Sequence, residues 1–236
     1  MKRFTRVLHA AMQATCLLSM GALVGLLCLT YDSANSETFD VDSLIDKVQT
    51  TYEQTGAFTA AFVQIATLTS IDRQQTSAGR VYIAKPHSVR WEYTQPDAQT
   101  VLYDGEMLRI YTPKRRQVLQ SVIRGDDRHN VALLFLAGVG KLREMFTITP
   151  LPTTDSHGQN LRLLPRSRQA SFTELHISVN PQNYFVEKLT IHDTIGNHTV
   201  IHLSALHVQS ALPAGTFELV LPPHTEILTP SDLTGR

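Results

Sequence analysis

Ten histidines, 21 carboxylates and 21 basic side chains are the groups in this 236-residue chain that could do chemistry, and their spacing decides which chemistry is open to them. His192, His198, His202 and His207 crowd one predicted hairpin, and His198 and His202, an even number of residues apart, share a strand face. A metal would need third and fourth ligands in suitable geometry. Ile201, Leu203 and Ala205 form the opposite, apolar face, so the histidines read as lining a solvated surface; a metal-dependent hydrolase built on them is the enzymatic alternative. Asp126-Asp127 lie beside Arg124 and Arg128 as ordinary turn chemistry, and Lys114-Arg115-Arg116 reads as a hairpin tip. Gly138-Val139-Gly140-Lys141 lacks the first glycine and the Ser/Thr of a phosphate loop and follows an apolar helix instead of a strand. The sequence has no Gly-x-Ser-x-Gly elbow, no His-Glu-x-x-His and no dinucleotide fingerprint. No enzyme and no cofactor are expected.

The N-terminus narrows the inventory further. Met1 to Arg6 is cationic, Val7 to Tyr31 is free of Asp, Glu, Lys and Arg for 25 residues, and Ala34-Asn35-Ser36 offers small residues for cleavage. This is the layout of a secretory signal over residues 1–36, with Glu37 first in the mature chain; an uncleaved membrane anchor is the competing reading. Cleavage removes both cysteines, Cys16 and Cys28, so no thiol nucleophile or disulfide remains. Without Lys2, Arg3, Arg6 and Asp32, the 21 basic and 21 acidic groups become 18 and 20, a net charge of −2. That balance argues against a nucleic-acid partner.

What remains is an apolar pattern. Val41, Leu44, Ile45, Val48 and Tyr52 recur at helical spacing between Asp40 and Gly56, with Asp40 or Asp42 as cap. From there the period becomes two: Phe58, Ala60, Phe62 and Gln64; Val81 and Ile83; Val89, Trp91 and Tyr93. Lys85-Pro86, Gln95-Pro96-Asp97, Asp104-Gly105, Asn180-Pro181-Gln182-Asn183 and Ile195-Gly196-Asn197 punctuate the runs, with Asp104-Gly105 read as a two-residue hairpin. Runs near 58, 81, 90, 101, 109, 119, 147, 162, 176, 188, 202 and 218 predict eleven or twelve strands, and His129 to Met145 predicts two short helices broken at the glycines. The fold class is mainly β: one large curved antiparallel sheet with a few helices across it, a single domain over 37–236. The stripe of Val81, Ile83, Val89, Trp91 and Tyr93, with Leu133, Leu134, Phe135 and Leu136 on a helix, could be core or could line a pocket.

The order of several segments resembles the LolA family, periplasmic carriers that move lipoproteins from the inner to the outer membrane of Gram-negative bacteria. The residues that carry the resemblance are Phe58-Thr59-Ala60-Ala61-Phe62-Val63-Gln64, Gly79-Arg80-Val81-Tyr82-Ile83-Ala84-Lys85-Pro86, Arg90-Trp91-Glu92-Tyr93 with Gln95-Pro96, and Tyr103-Asp104-Gly105 leading to Ile110-Tyr111-Thr112-Pro113. They continue with Val131 to Ala137 and Phe217-Glu218-Leu219-Val220-Leu221-Pro222-Pro223. The resemblance implies an open half-barrel of about eleven strands, with a lid of short helices over an apolar cavity. On that template the first helix and the Val131 to Met145 segment form the lid. Phe58, Phe62, Val81, Ile83, Val89, Trp91 and Tyr93 face the acyl cavity, and Leu133, Leu134 and Phe135 close it from the lid. Lys85 stands where well-characterised members carry Arg, the residue that ties sheet to lid and is linked to cargo handover. Lys cannot reproduce the planar fork of Arg, which implies a weaker or differently gated lid.

The same resemblance implies partners. Lipoproteins would be bound through their acyl chains, loaded by an inner-membrane ABC-type lipoprotein-releasing complex and delivered to an outer-membrane acceptor lipoprotein or to the outer membrane itself. The carrier would act as a monomer. A lipid- or lipoprotein-sensing regulatory module of the cell envelope on the same half-barrel is the alternative. Exposing three lipid chains of about sixteen carbons would cost tens of kcal/mol at ~0.8 kcal/mol per methylene, which is why a soluble carrier is needed.

Overall fold

The computed structural model describes residues 40–122, 142–152, 158–167 and 172–234. The expected signal over residues 1–36, the expected helical segment from His129 up to residue 141, and with it Leu133, Leu134, Phe135 and Leu136, lie outside the described residues. Helix α1 runs Val41–Gln54. Asp40 caps it, its Oδ1 accepting from the amides of Asp42 and Ser43, and the helix ends at Thr55, one residue before the expected glycine. Leu44, Ile45, Val48 and Tyr52 are buried along one stripe, as their spacing predicts.

Strands β1 (Ala57–Leu68), β2 (Arg73–Ala84), β3 (Ser88–Gln95), β4 (Gln99–Tyr103), β5 (Met107–Thr112) and β6 (Gln117–Val122) form an antiparallel meander. A four-residue helix α2 (Leu142–Met145) leads into a second meander: β7 (Phe146–Pro150), β8 (Gln159–Pro165), β9 (Glu174–Val179), β10 (Val186–His192) and β11 (His198–Gln209). Pairing of β1 with β11 joins both into one 12-stranded sheet in the order β12-β6-β5-β4-β3-β2-β1-β11-β10-β9-β8-β7. The chain closes with β12 (Glu226–Leu228) and a short helix α3 (Pro230–Thr234).

Three sequence expectations change. The strand expected near 218 is absent; Pro213 to Glu218 make successive turns, with Gly215 at φ +81°, because Pro213, Pro222 and Pro223 cannot donate to a ladder. The last strand lies eight residues later, and it pairs with β6 in parallel, the one parallel pair among the described residues. The Asp104-Gly105 connection spans three residues, 104–106: Asp104 Oδ1 accepts from the Glu106 and Met107 amides, and Gly105 sits at φ +103°.

Register assigns the faces. Phe58, Ile83, Val89, Tyr103 and Leu108 form one row across β1–β5; Ala60, Val81, Trp91, Val101, Ile110 and Leu119 form the next across β1–β6. α1 packs on this inner face and shares one core with it and with Leu161, Leu163, Leu175, Ile177 and Leu189 of the second meander. On the outer face Leu102, Tyr111 and Val118 are also buried. There Arg90 donates to the Thr216 and Glu218 carbonyls, and Glu226 continues onto β6, so the C-terminal segment straps the outer face of β3–β6.

Candidate functional site

The inner face grades from apolar to polar in successive rows. Phe58, Phe62, Val81, Ile83, Val89 and Trp91 are each at most 5 % exposed and lie in the core shared with α1. The Phe62 ring packs edge-on to Trp91 (centroids 4.6 Å) and to Tyr93 (4.9 Å). It fits because its row neighbour is Gly79, where a Cβ would come within 3.0 Å of the Phe62 ring and 1.8 Å of the Glu92 carbonyl oxygen. The Trp91 indole N–H is buried without a hydrogen-bond partner among the described residues.

Tyr93 differs from its neighbours. It is only partly buried, and its hydroxyl donates to Gln64 Oε1 at 3.1 Å; burial pushes its phenol pKa up. It marks the boundary of a 520 Å³ cavity lined among others by Gln64, Ser77, Tyr93, Gln95, Gln99 and Lys114. Its size is ordinary for a ligand site, about 300–1,000 Å³, but amides and hydroxyls line it. In the first meander, half-exposed apolar side chains of the inner face include Val101, Leu108, Ile110 and Leu119, which sequence reading did not single out. Their signal was available in the alternation of β4 and β5, where Val101 and Tyr103 share parity, as do Leu108 and Ile110.

α1 fills the space over the fully buried rows. Tyr52 packs edge-on to Phe58 (ring centroids 6.0 Å) and tilted against Phe185 (5.2 Å), and its hydroxyl accepts from the Val186 amide at 3.2 Å. Desolvation raises the Tyr52 pKa, so the phenol stays neutral in this apolar setting. Polar contacts hold the helix at both ends. Near its start, Arg143 of α2 donates to the Asp42 carboxylate and carbonyl and to Asp46 Oδ1 at 2.9 Å. In its last turn, Lys85 at the end of β2 donates to the Glu53 carbonyl. Burial lowers the Lys85 pKa, against the opposing pull of the Glu53 carboxylate. Lys85 thus makes a single-acceptor tie between sheet and helix.

The histidine row divides. His202 and His207 are exposed, as expected of a solvated face, whereas His192 and His198 are half-buried. Lys114 and Arg115 sit at the β5–β6 hairpin tip, with Arg116 at φ +50°. Among the described residues no helix is long and apolar enough to cross a membrane.

An apolar interior plugged by an amphipathic helix is suited to binding, and comparison with known proteins says what kind. Residues 53–220 match the family described as outer membrane lipoprotein carrier protein LolA. This chain belongs to the LolA family. The outer-membrane lipoprotein carrier protein of Bordetella avium is 27 % identical over 225 residues, 95 % of this chain and 99 % of that one. That of Cupriavidus pinatubonensis is 29 % identical over 153 residues, 65 % of this chain and 70 % of that one. Among solved structures, an uncharacterized conserved protein from Thermus thermophilus superposes with a TM-score of 0.51 at 10 % identity, over 80 % of this chain and 98 % of that one, a likeness of fold. LolA proteins are periplasmic carriers without enzymatic activity, and lipoproteins are their cargo.

Proposed function

We propose that this chain works as an outer-membrane lipoprotein carrier by sheltering lipoprotein acyl chains on the inner face of its sheet, in the space α1 fills here. Membership of the LolA family carries the reading. The mature chain begins near Glu37 after cleavage of a signal over residues 1–36, and 37–236 acts as one carrier domain in the periplasm of a Gram-negative bacterium. Phe58, Phe62, Val81, Ile83, Val89, Trp91 and Tyr93 make the acyl surface once α1 withdraws. Lys85 sets how readily it withdraws, and Leu133, Leu134 and Phe135 contribute from the lid.

The energetics support this division of labour. Leu44, Ile45, Val48 and Tyr52 are buried, which at about 1.5–3 kcal/mol each holds α1 with roughly 6–12 kcal/mol. Burying triacyl cargo is worth tens of kcal/mol, so cargo can displace the helix, while an empty carrier stays closed. The chain carries no phosphate loop, so an inner-membrane ABC-type complex supplies the energy for loading, and an acceptor lipoprotein or the outer membrane takes the cargo from the monomeric carrier. The test is binding of a synthetic triacyl lipopeptide to the purified protein, with mass spectrometry of lipoproteins that co-purify from the periplasm. One lipopeptide bound per chain is expected; no acyl ligand in either experiment would sink the reading.

A further inference from the structure

On the outer face of the second meander, away from the acyl surface, register assembles a cluster that the sequence order scatters. His192 of β10 stands directly opposite Glu174 of β9 and, on its other side, opposite His198 of β11. His176 lies two residues beyond Glu174 on the same face of β9. His176 Nε2 is 3.0 Å from Glu174 Oε1, and the His176 and His192 rings are 4.7 Å apart. One ligand atom each from Glu174, His176 and His192 lies within 4.8 Å of the others.

We propose that Glu174, His176 and His192 bind one zinc ion across β9 and β10. Zinc at about 2.0–2.1 Å from tetrahedral ligands holds its donor atoms roughly 3.3 Å apart, so the His176–Glu174 spacing already fits and small side-chain rotations close the rest. Two imidazoles and a carboxylate are a ligand set that zinc accepts, with a water in the fourth position. His192 Nε2 is buried with no hydrogen-bond partner among the described residues, an uncommon condition for an imidazole nitrogen and one that a metal or its water would relieve.

The surroundings support the site. Arg162 Nε donates to Glu174 Oε2 at 2.6 Å, which fixes the carboxylate and leaves Oε1 toward the imidazoles, the kind of outer-shell contact that orients metal ligands. The Glu174 pKa is lowered overall: desolvation opposes, but the Arg162 hydrogen bond and charge prevail, so the carboxylate is ionised. Burial lowers the His192 pKa, which favours the neutral imidazole that ligates metal. His198, its ring 6.2 Å from that of His192, flanks the site. A bound ion would staple β9 to β10 by their side chains and would act on stability independently of acyl carriage.

The test uses tag-free protein purified from the periplasm, stripped with chelator and titrated with zinc chloride by calorimetry. One zinc per chain is expected, with a dissociation constant on the order of 10 µM or tighter. At free zinc a hundred times that constant, the melting temperature rises by about 5–10 °C, whereas magnesium leaves it unchanged. His176→Ala and His192→Ala each weaken binding at least about ten-fold, and His207→Ala, at an exposed position toward the other end of β11, leaves it unchanged. Far-ultraviolet circular dichroism without zinc establishes that the variants are folded. Absence of a one-to-one zinc site in the wild-type chain overturns the proposal, whatever the variants do. So does a site that survives both substitutions.

Discussion

Replacing Lys85 by Met keeps most of the side-chain stem and removes one tie between the sheet and α1, the bond from Lys85 to the Glu53 carbonyl. A hydrogen bond with a charged donor in a half-exposed setting contributes about 1 kcal/mol, with solvent screening holding it to the lower end. In the proposed exchange of α1 for cargo, that energy stabilises the closed state only. Its loss therefore multiplies the open population about five-fold, since 1.4 kcal/mol is a factor of ten. The buried face of α1 keeps the open form a minor species, so apparent affinity scales with that population. Lys85→Met should bind a fluorescent fatty-acyl probe about five times more tightly than wild type, while urea unfolding shows a loss of about 1 kcal/mol. A folded variant whose probe affinity is unchanged or weaker would refute the idea that Lys85 restrains α1 against cargo.

Other outcomes follow from the same geometry. Leu119→Asp, on a half-exposed inner position, should weaken acyl-probe binding at least about ten-fold with a small change in melting temperature, whereas Val89→Asp, at 0 % exposure, should unfold the chain in a thermal melt because it buries an unpaired charge. Gly79→Ala should cost about 3 kcal/mol or more by equilibrium unfolding, because its Cβ would meet the Glu92 carbonyl oxygen at 1.8 Å and force β2 and β3 apart. The Asp104 pKa is lowered: desolvation opposes, but hydrogen bonds from the Met107 and Glu106 amides and from Arg109 prevail. A depressed carboxylate contributes stability above its unfolded value of about 3.9 and loses it as pH falls through the folded value. The stability gap between wild type and Asp104→Asn should therefore be full at neutral pH and shrink in urea titrations below about pH 4.

The parts of the fold written in local periodicity were legible in the sequence. The stripe of α1 and the parity of Phe58, Phe62, Val81, Val89 and Trp91 follow from spacing, because each residue's face is set by its neighbours two or four positions away. Whether those residues were core or pocket was not legible, because the answer depends on where α1 docks, and docking is a long-range contact. The same limit hid the burial of Leu102, Tyr111 and Val118 on the outer face, where a C-terminal segment more than ninety residues away is anchored through Arg90 and β6. It also hid the joining of Glu174 and His176 to His192, which only the β9–β10 register brings together. The strand expected at 218 misled for a different reason: apolar Phe217, Leu219 and Leu221 alternate as a strand would, but Gly215, Pro222 and Pro223 on either side govern the backbone.

Acyl chains are proposed to take the place of α1, and hydrogen exchange of the α1 amides tests this most directly. With the protein saturated by a triacyl lipopeptide, amides of residues 41–54 should lose protection while those of β1, β2, β9 and β10 keep theirs. Unchanged or increased protection across α1 at saturation would contradict the claim and place the cargo elsewhere.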